Sequence, residues 1–196
     1  MSFAKTLKKT GRYKVILTRK RDKYIPLRKR VAIARTSEAD LFISVHADSV
    51  KNRRIRGASV YTLSENASDK EAAELARKEN KSDLIFGKDL SNEDFQVANI
   101  LIDLAQRETM NHSARFANIL VNELRHATRV LPRTHRFAGF RVLKAPDVPS
   151  VLLELGFLSN RQDEVSLRTK KYRNKIAKAI VKSVDNYFKR IKSASR

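Results

Sequence analysis

Two short apolar segments of the chain each end in one side chain that could perform acid–base or metal chemistry. Residues 41–46 end in His46, and residues 148–154 end in Glu154. Both segments are rich in aliphatic and β-branched residues and are bounded by turn-forming residues, which predicts two buried strands. Ligand sites of open α/β sheets collect at strand ends. An imidazole and a carboxylate brought together there suggest a metal ligand and a general base.

Each residue also has a simpler interpretation. A single histidine at a strand end is more often a hydrogen-bonded core residue than a metal ligand, so His46 alone decides nothing. Glu154 is harder to explain structurally, because a carboxylate inside Val-Leu-Leu-Glu-Leu-Gly-Phe needs a cation, a metal or several hydrogen-bond donors.

Four motifs surround these two residues in a fixed order along the chain. They are Ser44-Val-His-Ala-Asp48, Gly57-Ala-Ser-Val-Tyr61, Gly139-Phe-Arg-Val-Leu-Lys-Ala-Pro-Asp147 and Val151-Leu-Leu-Glu-Leu-Gly-Phe-Leu-Ser-Asn160. With these motifs the chain resembles, from about Gly11 to about Phe188, the zinc-dependent N-acetylmuramoyl-L-alanine amidases of bacterial cell-wall remodelling, specifically the cell-division type. The resemblance implies hydrolysis of the amide between the lactyl group of N-acetylmuramic acid and L-alanine in peptidoglycan, in the periplasm.

The resemblance also implies a site of one zinc ion held by His, Glu and His. His46 matches the second of those histidines, and Glu154 matches the catalytic glutamate. Zinc would polarise the scissile carbonyl and lower the pKa of its bound water toward about 7. The glutamate would take the water proton and pass it to the leaving amine.

The beginning of the chain departs from the family pattern. Family members start with a strand and a glycine-rich turn that carries the first His, and a helix then carries the Glu ligand. Here no residue before Lys14 is His, Asp or Glu, and the resemblance maps none of His112, His126 and His135 to a ligand, so we expect those three on the surface or in loops. We expect an N-terminally truncated domain with doubtful tight zinc binding, because catalytic zinc sites use three protein ligands. A non-catalytic descendant that binds peptidoglycan or a divisome partner is the alternative.

A second functional hint lies in residues 64–106. The resemblance implies an inserted helical regulatory segment that covers the active site and presents a glutamate to the zinc until a division-site activator removes it. Glu79 is the first candidate for that ligand, with Glu74 and Glu71 on neighbouring turns. The alternative is that all three are solvent-facing helix residues. The apolar face of a helix predicted over Phe95–Gln106 could dock an activator or could belong to the core.

The order of predicted elements indicates the fold class. Strands alternating with helices predict one α/β domain over residues 1–196, with a mixed, mostly parallel twisted sheet flanked by helices. The predicted strands are Tyr13–Thr18, Leu41–His46 (central), Gly57–Leu63, Phe140–Leu143 and Val151–Glu154. The predicted helices are Leu27–Thr36, Asp69–Asn80 with Ser68 as cap, Phe95–Gln106, Asn111–Ala127 and a terminal stretch from Arg161 to Arg190.

Composition narrows the choice of partner. The formal net charge of +21 attracts polyanions. A nucleic-acid binder is the third hypothesis, but no zinc-finger, homeodomain or RNP-type motif is present and aromatic residues do not interleave with the basic clusters. An anionic wall polymer or membrane surface is favoured, and a lineage bias toward lysine is the alternative. We expect peptidoglycan and an activator as partners, a monomer, no signal peptide and no transmembrane segment.

Overall fold

The computed structural model describes residues 2–85 and 100–194 of the chain. Among these residues, two helices precede the first strand, the second strand follows the first directly, and helices lie between the second and third strands and after the fourth. In order, the elements are α1 (Ser2–Lys9), α2 (Leu27–Thr36), β1 (Phe42–His46), β2 (Ala58–Leu63), α3 (Lys70–Asn80), α4 (Ser82–Ile85), α5 (Ile100–Ala127), β3 (Val130–Ala138), a 3-10 turn (Arg141–Leu143), β4 (Ser150–Glu154), α6 (Arg161–Arg168) and α7 (Lys170–Ala194). No helix within these described residues is both long and apolar enough to cross a membrane.

The four strands form one mixed sheet in the order β1-β4-β2-β3. β1 and β4 are parallel, with His46 directly opposite Glu154, and β2 and β3 are also parallel. β2 and β4 are antiparallel, with Ser59 opposite Glu154. The predicted fold class, a mixed and mostly parallel sheet in a single α/β domain, is confirmed.

Helices cover both faces of the sheet, and side chains of β2 and β4 alternate between two cores. On one face Val60 and Leu153 join a cluster with helices α5 and α7, whose buried members include Phe116, Leu120, Leu124, Ile180 and Val184. On the other face Tyr61 and Leu152 join a cluster with α2, α3 and the 3-10 turn, whose members include Leu27, Ala72, Leu75 and Phe140. β4 is therefore buried along its whole length, which explains its continuous apolar sequence.

Two strands predicted in the N-terminal half differ from the structure: the first is absent, and the second has another position in the sheet. Residues 13–17 form no strand. Tyr13 and Val15 pack against the α5–α7 cluster, and the Tyr13 hydroxyl donates to Asp185 at 2.8 Å. The alternation of apolar residues in this segment therefore reflects side chains that pack on the helices, not a strand. The strand predicted over Leu41–His46 exists as β1, but it lies at the edge of the described sheet, and β4 occupies the position between β1 and β2.

The C-terminal half contains a strand that the sequence does not signal. β3 is rich in polar residues and includes Pro132, which an edge strand tolerates because one side of its backbone needs no partner. The predicted strand Phe140–Leu143 is wrong: the 3-10 turn occupies its last three residues, and Phe140 precedes the turn. Phe140, Val142 and Leu143 are all buried.

The helix predictions hold with changes at their ends. Asp69, rather than Ser68, caps α3 by accepting the Ala72 N–H at 2.8 Å. The predicted helix Asn111–Ala127 is the C-terminal part of α5, and the terminal stretch is divided into α6 and α7 at Thr169. Of the helix predicted over Phe95–Gln106, residues 100–106 belong to α5 and the remainder lies outside the described residues.

Candidate active site

His46 is the last residue of β1, and both nitrogens of its ring have partners. Nδ1 lies 3.1 Å from Oε2 of Glu79, and Nε2 lies 2.9 Å from Oγ of Ser44, two residues earlier on the strand. Burial disfavours the imidazolium, but the contact with Glu79 and the charges of Glu79 and Glu154 outweigh it and raise the pKa of His46.

Glu154 is the last residue of β4, and its side chain is fully buried. Oε2 accepts the backbone N–H of Asp48 at 3.1 Å, whereas Oε1 is buried and has no hydrogen-bond partner among the described residues. Burial, with smaller contributions from the charges of Asp48 and Glu79, raises the pKa of Glu154 to about 8. A carboxyl group titrating so close to neutrality is suited to proton transfer, and such shifts cluster at functional sites.

Glu79 reaches His46 because helix α3 is fixed at its C-terminal end. The Asn80 side chain donates to the Gly139 carbonyl and accepts the Arg141 N–H, both at 2.8 Å. Lys78 forms an ion pair with Asp48 and donates to the Ser49 carbonyl at 2.7 Å. Burial raises the pKa of Glu79, but its contact with His46 outweighs burial and the net shift is downward.

The start of the same helix is held by a second ion pair. Arg136 of β3 binds the Asp69 carboxylate and lies 3.2 Å from Glu71. The hydrogen bond from Arg136 holds the pKa of Asp69 well below its usual range, although burial opposes this shift. Sequence analysis missed this pair, because β3 gives no apolar alternation and an arginine there reads as a surface residue.

A buried carboxylate behind the site was also missed. Asp163 of α6 is 3% exposed and accepts the backbone N–H groups of Gly57 at 2.7 Å and Phe157 at 3.1 Å. A Cβ atom at Gly156, whose φ is +144°, would lie 2.9 Å from the Asp163 carboxylate, so glycine is required for this approach. Asp163 thereby ties α6 to the turn after β4 and to the start of β2. Its position in the first turn of a capped helix was the available signal.

The other sequence candidates lie elsewhere. Glu74 and Glu71 are exposed, as the simpler interpretation predicted. His126 is exposed on α5, while His112 is half-buried there and lies 3.8 Å from Glu108. His135 is half-buried on β3, not in a loop, with Nε2 3.1 Å from the Thr62 hydroxyl. Burial lowers its pKa.

The donor set can be compared with the needs of a zinc ion. His46 Nδ1 and Glu79 Oε2 are donors of the types that zinc uses, and Glu154, whose Oε1 is buried, lies opposite His46 on the neighbouring strand. Among residues 2–85 and 100–194, however, no group of three or more His, Cys, Asp or Glu side chains is arranged to hold a metal ion. Catalytic zinc takes three protein ligands, so these residues alone do not complete such a site.

An α/β domain with a histidine and a buried glutamate at adjoining strand ends is arranged for acid–base chemistry. The sequence pattern of the family described as N-acetylmuramoyl-L-alanine amidase (Amidase_3) matches residues 2–186. The chain is 38% identical over 183 residues to the N-acetylmuramoyl-L-alanine amidase AmiC of Escherichia coli, covering 93% of this chain and 44% of that one. It is 40% identical over 173 residues to AmiA of Escherichia coli, covering 88% and 60%.

A solved structure shares the fold. The CwlD amidase from Clostridioides difficile, solved in complex with the GerS lipoprotein, has a TM-score of 0.63 at 22% identity, with 95% of this chain and 81% of that chain covered. This chain belongs to the N-acetylmuramoyl-L-alanine amidase family, which confirms the resemblance found in its motifs. It spans about half the length of the AmiC and AmiA relatives.

Proposed function

We propose that this domain hydrolyses the amide bond between the lactyl group of N-acetylmuramic acid and L-alanine in peptidoglycan, in the periplasm, during separation of daughter cells. Membership of the amidase family supports the reaction. The observation that supports particular residues is the register of β1 and β4. His46 and Glu154 lie opposite each other at the C-terminal ends of these two parallel strands.

Glu154 is the proposed general base. The Asp48 N–H fixes one carboxylate oxygen and leaves Oε1 without a partner within the described part of the chain. That oxygen would accept a proton from the attacking water and return it to the leaving amine. The raised pKa supports this role, because a base titrating near the working pH can both take and release a proton.

Zinc is the proposed cofactor, and His46 its proposed ligand. Since the described residues supply at most two donors beside Glu154, any further ligands would come from outside them. The shortage of donors favours one second candidate function, a non-catalytic domain that binds peptidoglycan or a divisome partner through the same fold.

Residues 64–106 are the proposed regulatory segment, with Glu79 as its inhibitory residue. Its carboxylate lies 3.1 Å from Nδ1 of His46, and this contact supports a role in keeping that nitrogen from binding a metal ion. A division-site activator would release it. The lipoprotein in the CwlD complex supports the idea that a domain of this fold takes a protein partner.

The test combines zinc content with hydrolysis of purified peptidoglycan. Near one zinc per chain by elemental analysis, together with release of peptides that carry a free N-terminal L-alanine, is the result expected of the enzyme. Glu154→Gln should abolish release while leaving zinc content unchanged, and Glu74→Gln, an exposed glutamate of α3, is the matched control. Binding to peptidoglycan without zinc or peptide release would favour the non-catalytic function.

Glu79 is tested separately. Glu79→Ala should raise hydrolysis in the absence of any activator, because the carboxylate leaves His46 Nδ1. Glu74→Ala, on the same helix, should not change it. Equal rates for Glu79→Ala and the unmodified chain would refute an inhibitory role for Glu79.

A further inference from the structure

A cationic groove lies beside the candidate active site. It has a volume of about 600 Å³ and is formed by residues 49–53, which follow β1, and residues 158–164, which follow β4. Its lining includes Lys51, Arg53, Arg161 and Leu158. We call it the 49–53/158–164 groove. Its volume is in the range of pockets that hold small ligands.

The groove shares its backbone with the site. The Leu158 N–H donates to the Asp48 carbonyl at 2.7 Å, and the Val50 N–H donates to the Ser159 hydroxyl at 3.1 Å. The Asn160 side chain donates to the Arg53 carbonyl at 2.7 Å. The N–H of Asp48 itself binds Glu154, so one edge of the groove is joined directly to the proposed base. These bonds fix both walls of the groove relative to Glu154.

Among the described residues, the cations of the groove have no acidic partner. Within the part of the chain that the structure describes, none of Lys51, Arg53 and Arg161 forms an ion pair. The one carboxylate in the lining, Glu164, is paired with Arg168 at 2.7 Å. Three positively charged residues therefore line the groove, beside a single carboxylate that already has a partner. Guanidinium groups bind carboxylates with matched geometry.

We propose that the 49–53/158–164 groove binds the peptide side of the substrate through free carboxylates, with Arg53, Arg161 and Lys51 as the recognising residues. The inference rests on the proposed amide hydrolysis, because the peptide is the leaving group that receives its proton from Glu154 and must lie beside it. Leu158, which is 49% exposed, supplies an aliphatic surface for the peptide backbone. A short acidic peptide matches this combination better than a uniformly charged polymer, which needs no apolar contact.

The test is a binding measurement, so that it does not depend on turnover. The probes are the tetrapeptide L-alanyl-γ-D-glutamyl-meso-diaminopimelyl-D-alanine and its counterpart with every carboxylate amidated. Binding to the full chain is followed by amide chemical shifts in NMR at millimolar peptide. The variant is Lys51→Gln/Arg53→Gln. The control is Lys175→Gln/Lys178→Gln, which removes the same charge from exposed lysines in a separate groove between α5 and α7.

We expect the acidic peptide to shift the amides of Ser49, Leu158 and Ser159 and to bind about fivefold more weakly to the groove variant, while the control binds normally. The amidated peptide should bind weakly to all three proteins. Equal weakening in both variants would show a general charge effect and overturn the proposal. So would shifts that bypass the groove, absence of binding, or displacement by inorganic phosphate at matched ionic strength. Peptide binding in a chain that never hydrolyses peptidoglycan would leave the groove intact and refute only the proposed reaction.

Discussion

Asp163→Ala should destabilise the domain more than a typical single substitution. The wild-type carboxylate accepts two buried backbone N–H groups, from Gly57 and Phe157. Hydrogen bonds to a charged group contribute about 1.5–3 kcal/mol each, and their donors would remain buried without an acceptor. We therefore expect a loss of about 3–6 kcal/mol in the free energy of unfolding, a large part of the roughly 5–15 kcal/mol typical of a domain.

Asp163→Asn separates the hydrogen bonds from the charge. One carboxylate oxygen, Oδ2, accepts both N–H groups, so an amide oxygen in the same position keeps both bonds. What is lost is the attraction to Arg56, whose Nε lies 3.5 Å from the other oxygen. The asparagine variant should therefore lose about 1–2 kcal/mol and lie between wild type and alanine.

Urea unfolding followed by far-ultraviolet circular dichroism measures these differences, since the chain has no tryptophan for fluorescence. The control is Glu164→Ala, one position along the same helix, which removes only an i,i+4 pair with Arg168 worth about 0.3–0.5 kcal/mol. If Asp163→Ala costs no more than that control, the carboxylate does not hold the three segments together.

Three further substitutions test the fold. Gly57→Ala should cost about 1–3 kcal/mol in urea unfolding, because φ is +110° and a Cβ would lie 3.0 Å from the Arg129 carbonyl oxygen. Leu124→Ala, at a fully buried position, should cost about 2–5 kcal/mol, and a loss below 1 kcal/mol (roughly a surface value) would contradict its core placement. Asp69 has a lowered folded-state pKa, so the stabilisation from its pair with Arg136 is fully present above the ordinary carboxyl pKa of about 4. It is lost progressively as pH falls from there through the lower folded-state pKa. Asp69→Asn should flatten the acid side of the stability curve, and identical curves would refute the pairing.

The sequence predicts the fold best where burial is two-sided. β4 is apolar throughout because it lies between two neighbours and under helices on both faces, and its pattern indicates a strand directly. β3 has a neighbour on one side only, so its polar residues and Pro132 carry no strand signal. The segment 140–143 is predicted as a strand for the opposite reason, because Phe140, Val142 and Leu143 are buried at a tight turn rather than in a strand.

The residues of the site could also be predicted from the sequence only in part. His46 and Glu154 stand out because a polar residue ends an apolar strand, and parallel register then brings them together. Asp163 and Arg136 do not stand out, because their partners are backbone groups or residues more than sixty positions away in the chain. Such contacts exist only once the fold has formed, and the one local signal, the position of Asp163 in the first turn of α6, does not reveal its partners.

The anchoring of α3 constrains how Glu79 could be released, if it is the inhibitory residue proposed above. Moving the whole helix would expose Leu75, Ala72 and Ala76 and break both hydrogen bonds of Asn80, at a cost of at least about 4 kcal/mol. Rotating only the Glu79 side chain breaks its contact with His46, a pair that is 16% and 18% exposed. An activator that displaces the helix must therefore contribute several kcal/mol of binding energy. One that only draws the carboxylate away needs much less, because the core beneath α3 stays intact.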